Sequence, residues 1–363
     1  LDPLPDPIEI VVAAHFESIH ESMKSAQVAM KHEVTAVELM DKIILDCTKE
    51  SIEYSKNRYF VEGDPKALLM IEFRGKTLEE AMAKGEALIA DLKAAGYGYA
   101  YPIIEPEKVA SAWALRAAGL GLLGNIPGDP KAVACIEDTA VDITDLADYI
   151  DELDGILAGF NQNPVHYAHA GAGEIHMRPI LDLKKAEDVE EFYQISLASA
   201  KLVKKYQGSL SGEHGDGRVR AAFIPMMVGD KNYQLFRRIK YTWDPKNIFN
   251  PGKIVDAAPM NQFLRYEIGM HTPDPETVFD FSAAGGILRL AEKCNGSGDC
   301  RKLPGSGGTM CPSFMATRNE RDSVRGRANT LREFLTLDKK ENVFDHPEIK
   351  EALDLCLNFH DVS

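Results

Sequence analysis

The sequence predicts an α+β fold: an antiparallel sheet with helices on one face, followed by a mainly helical C-terminal segment. Three observations carry this. Strand–helix–strand units recur at intervals of roughly 60 residues without a residue-level repeat, which suits helices packed on one side of an antiparallel sheet. Apolar runs of β-formers, such as Ile8-Glu9-Ile10-Val11-Val12, alternate with longer segments of helical period. Past Asp256 the strand signals stop and a linker with three prolines leads into a cysteine-containing tail.

The elements follow in order. Ile8–Phe16 reads as a buried strand and Glu17–His32 as a helix. Leu68–Phe73 is a second strand. Thr77 caps a helix through about Ala95, closed by Gly96, because Gly accepts the left-handed C-cap conformation. Tyr97–Ile104 is a third strand, Glu107–Ala118 a helix, Val133–Val141 a strand and Asp145–Phe160 a helix. Val165–Leu183 holds two strands joined by a tight turn. Glu187–Gln207 is a long amphipathic helix that stops at Gly208. Asp244–Ile254 is rich in turn formers, Asp256–Pro275 reads as a linker, and Ser323–Leu335 and Pro347–Leu357 are the helices of the tail.

Composition narrows the function. The chain has 363 residues, 45% of them apolar, enough for one large domain or two. Its formal charge of −15 is unevenly placed: residues 284–363 hold 12 basic and 12 acidic residues, leaving 29 basic and 44 acidic in residues 1–283. So acidic a body is a poor partner for nucleic acid or anionic membrane. No apolar run reaches the length of a membrane span, and the opening Leu1-Asp2-Pro3 resembles neither a signal nor a transit peptide. A cytoplasmic location is the expectation. The chain lacks an initiator Met, so it is expected to start inside a longer protein. Six cysteines in 363 residues do not make a secreted disulfide scaffold. Four of them, Cys294, Cys300, Cys311 and Cys356, cluster in the tail and point to a metal or redox site.

Gly119-Leu120-Gly121-Leu122-Leu123-Gly124 matches the GxGxxG pattern, but a helix precedes it and prolines follow, so it reads as a loop and not as a dinucleotide turn. The segment from His166 to Arg178 is more informative. With Ala172-Gly173 as a two-residue hairpin loop, His169 faces His176 on one side of the sheet, with Cβ atoms about 5 Å apart. Two such imidazoles can bind one metal ion, with a third ligand supplied from elsewhere; the alternative is a pair of exposed hairpin histidines. Arg178 shares the His176 face. In Gly212-Glu213-His214-Gly215-Asp216-Gly217, Glu213 can complete a two-histidine, one-carboxylate site and His214 can act as general base; the alternative is a polar loop. Arg116 and Lys131 can each neutralise a substrate carboxylate, or be solvated surface charges. Cys294, Cys300 and Cys311, the last preceding Pro312, fit an iron–sulfur ligand set, with zinc as the main rival.

Several of these motifs occur together and in order: Ala36-Val37-Glu38-Leu39-Met40-Asp41, His169-x6-His176, Gly212 to Gly217, Asn250-Pro251-Gly252-Lys253-Ile254, Lys293-Cys294-Asn295-Gly296-x-Gly298-x-Cys300 and Met310-Cys311-Pro312-Ser313. Over roughly residues 8–358 the chain resembles the C-terminal portion of FAD-linked oxidases of the vanillyl-alcohol-oxidase type. The resemblance is greatest to the bacterial FAD and iron–sulfur D-2-hydroxy acid dehydrogenases. It implies a ferredoxin-like cap domain over residues 1–258, then a linker and partial iron–sulfur region over 259–363. It implies His169, His176 and Glu213 as ligands of a divalent metal (Zn, Mn or Fe) and His214 as the active-site base. Arg116 and Lys131 become carboxylate contacts, Asn250 approaches the FAD, and Cys294, Cys300, Cys311 and Cys356 serve a 4Fe-4S cluster. The resemblance further implies a small D-2-hydroxy acid (2-hydroxyglutarate, lactate or glycolate class) as substrate and a flavin domain as partner, with the electron acceptor open. Two departures stand out. The family's N-terminal flavin domain is expected to lie outside this sequence, and the cysteine expected three positions after Cys356 is Phe359, which leaves the cluster's ligand set incomplete. A metal-dependent hydrolase using the same His, His and Glu set, and a non-catalytic subunit of a split electron-transfer complex, are the competing classes.

Overall fold

The structure is a computed structural model that describes residues 4–49, 51, 54–122, 126, 128–294, 296–303, 305–306, 310–337 and 340–356. The chain divides into two compact units. The first is Leu1–Leu123 with Ala132–Ile268; the second is Gly124–Lys131 with Gly269–Ser363.

The first unit is built on a seven-stranded sheet. Its strands are β1 (Ile8–Phe16), β2 (Val34–Asp41), β3 (Ala67–Gly75), β4 (Ile103–Ile104), β5 (Ile136–Ala140), β6 (Val165–His169) and β7 (Glu174–Arg178). Their spatial order is β4-β1-β3-β2-β6-β7-β5. The pairings from β1 to β3, β3 to β2, β2 to β6, β6 to β7 and β7 to β5 are antiparallel, as expected. Around the sheet lie α1 (Ile19–Ala29), α2 (Lys42–Lys49), α3 (Leu78–Ala95), α4 (Pro106–Leu122), α5 (Leu146–Gly159), α6 (Ala186–Lys205), α7 (Ile224–Val228) and α8 (Asp230–Trp243).

Alternation along the strands divides the core in two. Ile10, Val12, Phe16, Leu39, Leu69 and Ile71 point to one face, where Met23 of α1, Leu88 of α3, Leu153 of α5 and Ile195 of α6 cover them. This is the expected helical layer. Val11, Ala13, Met40, Leu68 and Met70 point the other way, against Ile44 of α2 and Leu115 of α4. The second face is therefore covered as well, by a smaller helical pair.

Several local expectations hold for stated reasons. The Thr77 hydroxyl accepts the Glu80 N–H at 3.2 Å, and Gly96 sits at φ +74°. Others do not. Of Tyr97–Ile104 only Ile103–Ile104 is strand, because Gly98 at φ +80° turns the chain and Pro102 has no N–H to donate. The glycines at 119 and 121 lie inside α4, not in a loop; Gly124 lies outside the described residues. A Cβ on Gly119 would come within 2.3 Å of Ile44 Cγ2, so the glycine lets α4 lie close against α2. β2 was not anticipated, because Glu38 interrupts its apolar pattern.

The second unit contains α9 (Ile287–Glu292), α10 (Pro312–Thr317), α11 (Val324–Leu337) and α12 (Pro347–Leu353). Leu288, Leu331, Leu335 and Ile349 form its core. Arg289 grips Asp129 through two hydrogen bonds of 3.0 and 2.9 Å. Among the described residues of the chain, no helix is long and apolar enough to cross a membrane.

Candidate metal and active site

The hairpin forms, but its register differs from the expected one. His169 pairs with Glu174 and Tyr167 with His176, a shift of two residues. The cause is the turn: Ala170–Ala172 makes a 3-10 turn and Gly173, at φ +70°, closes it, so the connection is longer than two residues. A shift of two preserves side-chain parity. His169 and His176 therefore still share a face, set diagonally, with ring centroids 5.2 Å apart and perpendicular.

That face is the one carrying α2 and α4, at the end of the sheet where their apolar cover gives way to polar side chains. Glu38 of β2, Glu137 of β5, His169 of β6, and Glu174, His176 and Arg178 of β7 all project there by alternation. Glu38 was not singled out from the sequence, yet it joins two predicted site residues. Its carboxylate accepts from His169 Nδ1 at 3.0 and 2.8 Å and contacts Arg116 Nη2. Arg116 also lies 4.1 Å over the Tyr167 ring, and its buried Nε has no hydrogen-bond partner. Arg178 is committed to Glu137, donating Nε to Oε2 at 2.8 Å.

The loop Gly212–Gly217 brings the remaining groups. The ligand atoms of His169, His176 and Glu213 all lie within 4.8 Å of one another. His169 Nε2 is 3.4 Å from Glu213 Oε1, and His214 Nε2 is 3.1 Å from the same oxygen. The His214 ring stacks on His176 at 5.2 Å and 15° and is about half exposed. The loop approaches closely because residue 212 has no side chain: a Cβ there would meet the Glu174 carboxyl carbon at 2.7 Å.

Electrostatics sort these groups. The hydrogen bond to Glu38 raises His169 above the ordinary imidazole value. Burial pushes His176 down to about 4, and the neighbouring His169 and His214 add to this, so its ring is neutral. Burial pushes Glu174 up to about 8, helped by the Asp138 carboxylate, so it holds a proton at neutral pH. Asp138 moves the other way. Its burial opposes ionisation, but hydrogen bonds from Glu174, Ser211 and two backbone N–H groups hold it well below the usual carboxylate range.

The donor set fits a divalent transition metal. Buried His176 Nδ1 has no hydrogen-bond partner, the ring is neutral, and two imidazoles with a carboxylate suit such ions. Glu38 receives the His169 Nδ1 proton, which leaves Nε2 as the ligating atom on the side where Glu213 lies.

Of the other predicted residues, Asn250 lies in the same unit, and Lys131 and the tail cysteines lie in the second. Asn250 is exposed at φ +49°, in a turn held by Asp244, whose oxygens accept the Ile248 and Phe249 N–H groups at 2.8 Å each. Lys131 belongs to the second unit, and its ammonium donates to the Ile126 and Gly128 carbonyls at 2.9 and 2.5 Å. In that unit Cys300 and Cys311 are buried with Phe314, while Cys294 and Cys356 are half-buried. Burial opposes ionisation of the Cys311 thiol, but hydrogen bonds from Ser313, two backbone N–H groups and Arg327 bring it below the ordinary value. Among the described residues, the tail cysteines do not form a group of three ligands within 4.8 Å. Phe359 lies outside the described residues.

Fold and site together define an α+β domain that presents two imidazoles, a carboxylate and a third, stacked imidazole at one end of an antiparallel sheet. Residues 7–254 match the family described as FAD linked oxidases, C-terminal domain, and the chain belongs to that family. It is 32% identical over 359 residues to a D-2-hydroxyglutarate dehydrogenase of Pseudomonas putida, covering 94% of this chain and 35% of that protein. It is also 32% identical to a D-2-hydroxyglutarate dehydrogenase of Haemophilus influenzae, covering 90% of this chain and 33% of that one. The chain thus spans about a third of the length of these relatives. A 4-ethylphenol oxidase from Gulosibacter chungangensis shares the fold, with a TM-score of 0.51 at 13% identity over 70% of this chain and 55% of that one.

Proposed function

We propose that this chain is the substrate-side part of an FAD-dependent oxidoreductase that oxidises a small D-2-hydroxy acid to the 2-oxo acid. Residues 1–258 would be the cap domain, and residues 259–363 a linker and partial iron–sulfur region. One observation carries the reading: His169, His176 and Glu213 converge with His214 stacked beside them, in a member of the FAD-linked oxidase family. The named relatives supply the substrate class.

A divalent metal, when bound, supplies a Lewis acid that makes the substrate hydroxyl easier to deprotonate. FAD, when bound, supplies the hydride acceptor. The chain's own residues do the rest. His169, with its Nδ1 proton fixed by Glu38, and neutral His176 present lone pairs, and Glu213 presents its carboxylate beside them, 3.4 Å from His169 Nε2. His214 is the exposed imidazole of the group and takes the hydroxyl proton. Arg116, half-buried, holds the substrate carboxylate, while Glu38 and the Tyr167 ring keep its guanidinium in place. Cys294, Cys300, Cys311 and Cys356 would belong to the partial iron–sulfur region.

The test uses the full-length protein and a panel of D-2-hydroxy acids that includes 2-hydroxyglutarate, lactate and glycolate. At least one is expected to bleach the flavin absorbance, and His214→Gln is expected to slow that step by about 10²- to 10⁴-fold. No bleaching by any of them, or undiminished bleaching by the variant, refutes the reading.

A further inference from the structure

The geometry points to Asp138 as the positioning residue that sets Glu213 and His214 in the site. The inference deepens the metal-site reading above and rests on it. Asp138 lies at an irregularity of β5, where pairing with β7 slips between Glu137 and Thr139. Its backbone is left-handed, at φ +78°, uncommon for a residue with a side chain, and it is fully buried. Such a conformation persists only where surrounding contacts hold it. Here Glu174 of β7 and Arg220 contribute, but most of the contacts come from one loop. The Glu213 N–H donates to Oδ1 at 2.7 Å and the His214 N–H to Oδ2 at 3.0 Å. The Ser211 hydroxyl donates to Oδ2, and the Gly212 N–H donates to the Asp138 carbonyl at 2.7 Å. Arg220 approaches Oδ2 at 3.4 Å and also holds the Gly215 carbonyl at 2.5 Å.

The bulge aims the carboxylate at the backbone of the two residues whose side chains matter. If Asp138 stood in regular alternation, it would face the opposite side of the sheet from Glu137. The left-handed turn redirects it, as bulges near functional sites commonly do. A carboxylate is required as well as a turn, because it accepts at both oxygens. An amide of the same shape can accept at one oxygen only and would place N–H against N–H at the other.

The test compares the full chain with its Asp138→Asn and Ser211→Ala variants by two readouts. The first is titration with Co²⁺, followed by its visible absorption, which reports affinity and ligand geometry together. Asp138→Asn is expected to weaken Co²⁺ binding by about 10- to 100-fold and to change the spectrum, since partners of ligands act at that scale. The second is amide hydrogen exchange. The Glu213 and His214 amides are expected to be protected in the wild type and to lose protection in the variant, while Ile175 and Met177 of β7 keep theirs. Ser211→Ala leaves the backbone type unchanged, so it moves both readouts in the same direction by a smaller factor and decides the matter if Asp138→Asn does not fold. Wild-type exchange at Glu213 and His214 in the variants overturns the role of Asp138. Failure of the wild-type chain to take Co²⁺, or binding unaffected by Glu213→Gln, overturns the metal-site reading instead, and the exchange result then judges Asp138 alone.

Discussion

Raising the pH should cost this domain stability through one buried side chain, His166. Its backbone N–H donates to Asp41 Oδ2 at 2.7 Å, and its Nε2 lies 2.9 and 3.1 Å from the two oxygens of Asp154. Asp41 also caps α2, accepting the Ile44 N–H at 2.9 Å, so the imidazole ties β6 to α5 and to the start of α2. Burial alone would lower its pKa; Asp154 and Asp41 outweigh burial and raise it to about 9. Against an ordinary value near 6.5 in the unfolded chain, at about 1.4 kcal/mol per pH unit, protonated His166 contributes about 3.5 kcal/mol. Because the folded value is the higher one, this contribution is full below about pH 6.5. It falls as pH rises and is gone above about pH 9. The assay is urea unfolding of the wild type and Asp154→Asn at about pH 6 and about pH 10, with an NMR titration of the His166 ring. The advantage of the wild type over the variant should shrink by about 1–3 kcal/mol across that range. A ring that titrates at or below 6.5, or an advantage that does not change with pH, refutes the reasoning.

Other expectations follow from close contacts. Gly173→Ala puts a side chain at φ +70° and a Cβ 2.1 Å from the Val141 carbonyl oxygen; thermal unfolding should show a loss of about 1–3 kcal/mol. Gly119→Ala forces a methyl against Ile44 Cγ2 and should cost about 1–3 kcal/mol. In the double variant with Ile44→Ala the loss should be smaller than the sum of the two single losses, because the new methyl enters the space vacated; additive losses in a double-mutant cycle would refute the packing account. Glu38→Gln removes the charge that orients His169 and faces Arg116, so it should weaken Co²⁺ binding by about 10- to 100-fold, measured by titration of the chain.

The sequence by itself determined what depends on local chemistry. Ile8–Phe16, the Thr77 and Gly96 ends of α3, and the long helix before Gly208 were legible because period, caps and breakers act within a few residues. The facing of His169 and His176 was legible too, since parity along a strand survives a register slip of two. Tertiary structure decided the rest. The hairpin register depended on a 3-10 turn whose residues, Ala170-Gly171-Ala172, allow several conformations. The need for glycine at 119 came from Ile44, far away in sequence. Glu38 stood in the sequence only as part of the Ala36–Asp41 motif, and it partners His169 and Arg116 only because β2 lies beside β6. Asp138 gave no signal of its own, because its role is to accept N–H groups from residues more than 70 positions later. Side-chain type can announce a ligand, since the chemistry is carried in the residue. The groups that hold a ligand in place act across the fold, so only the folded chain shows which they are.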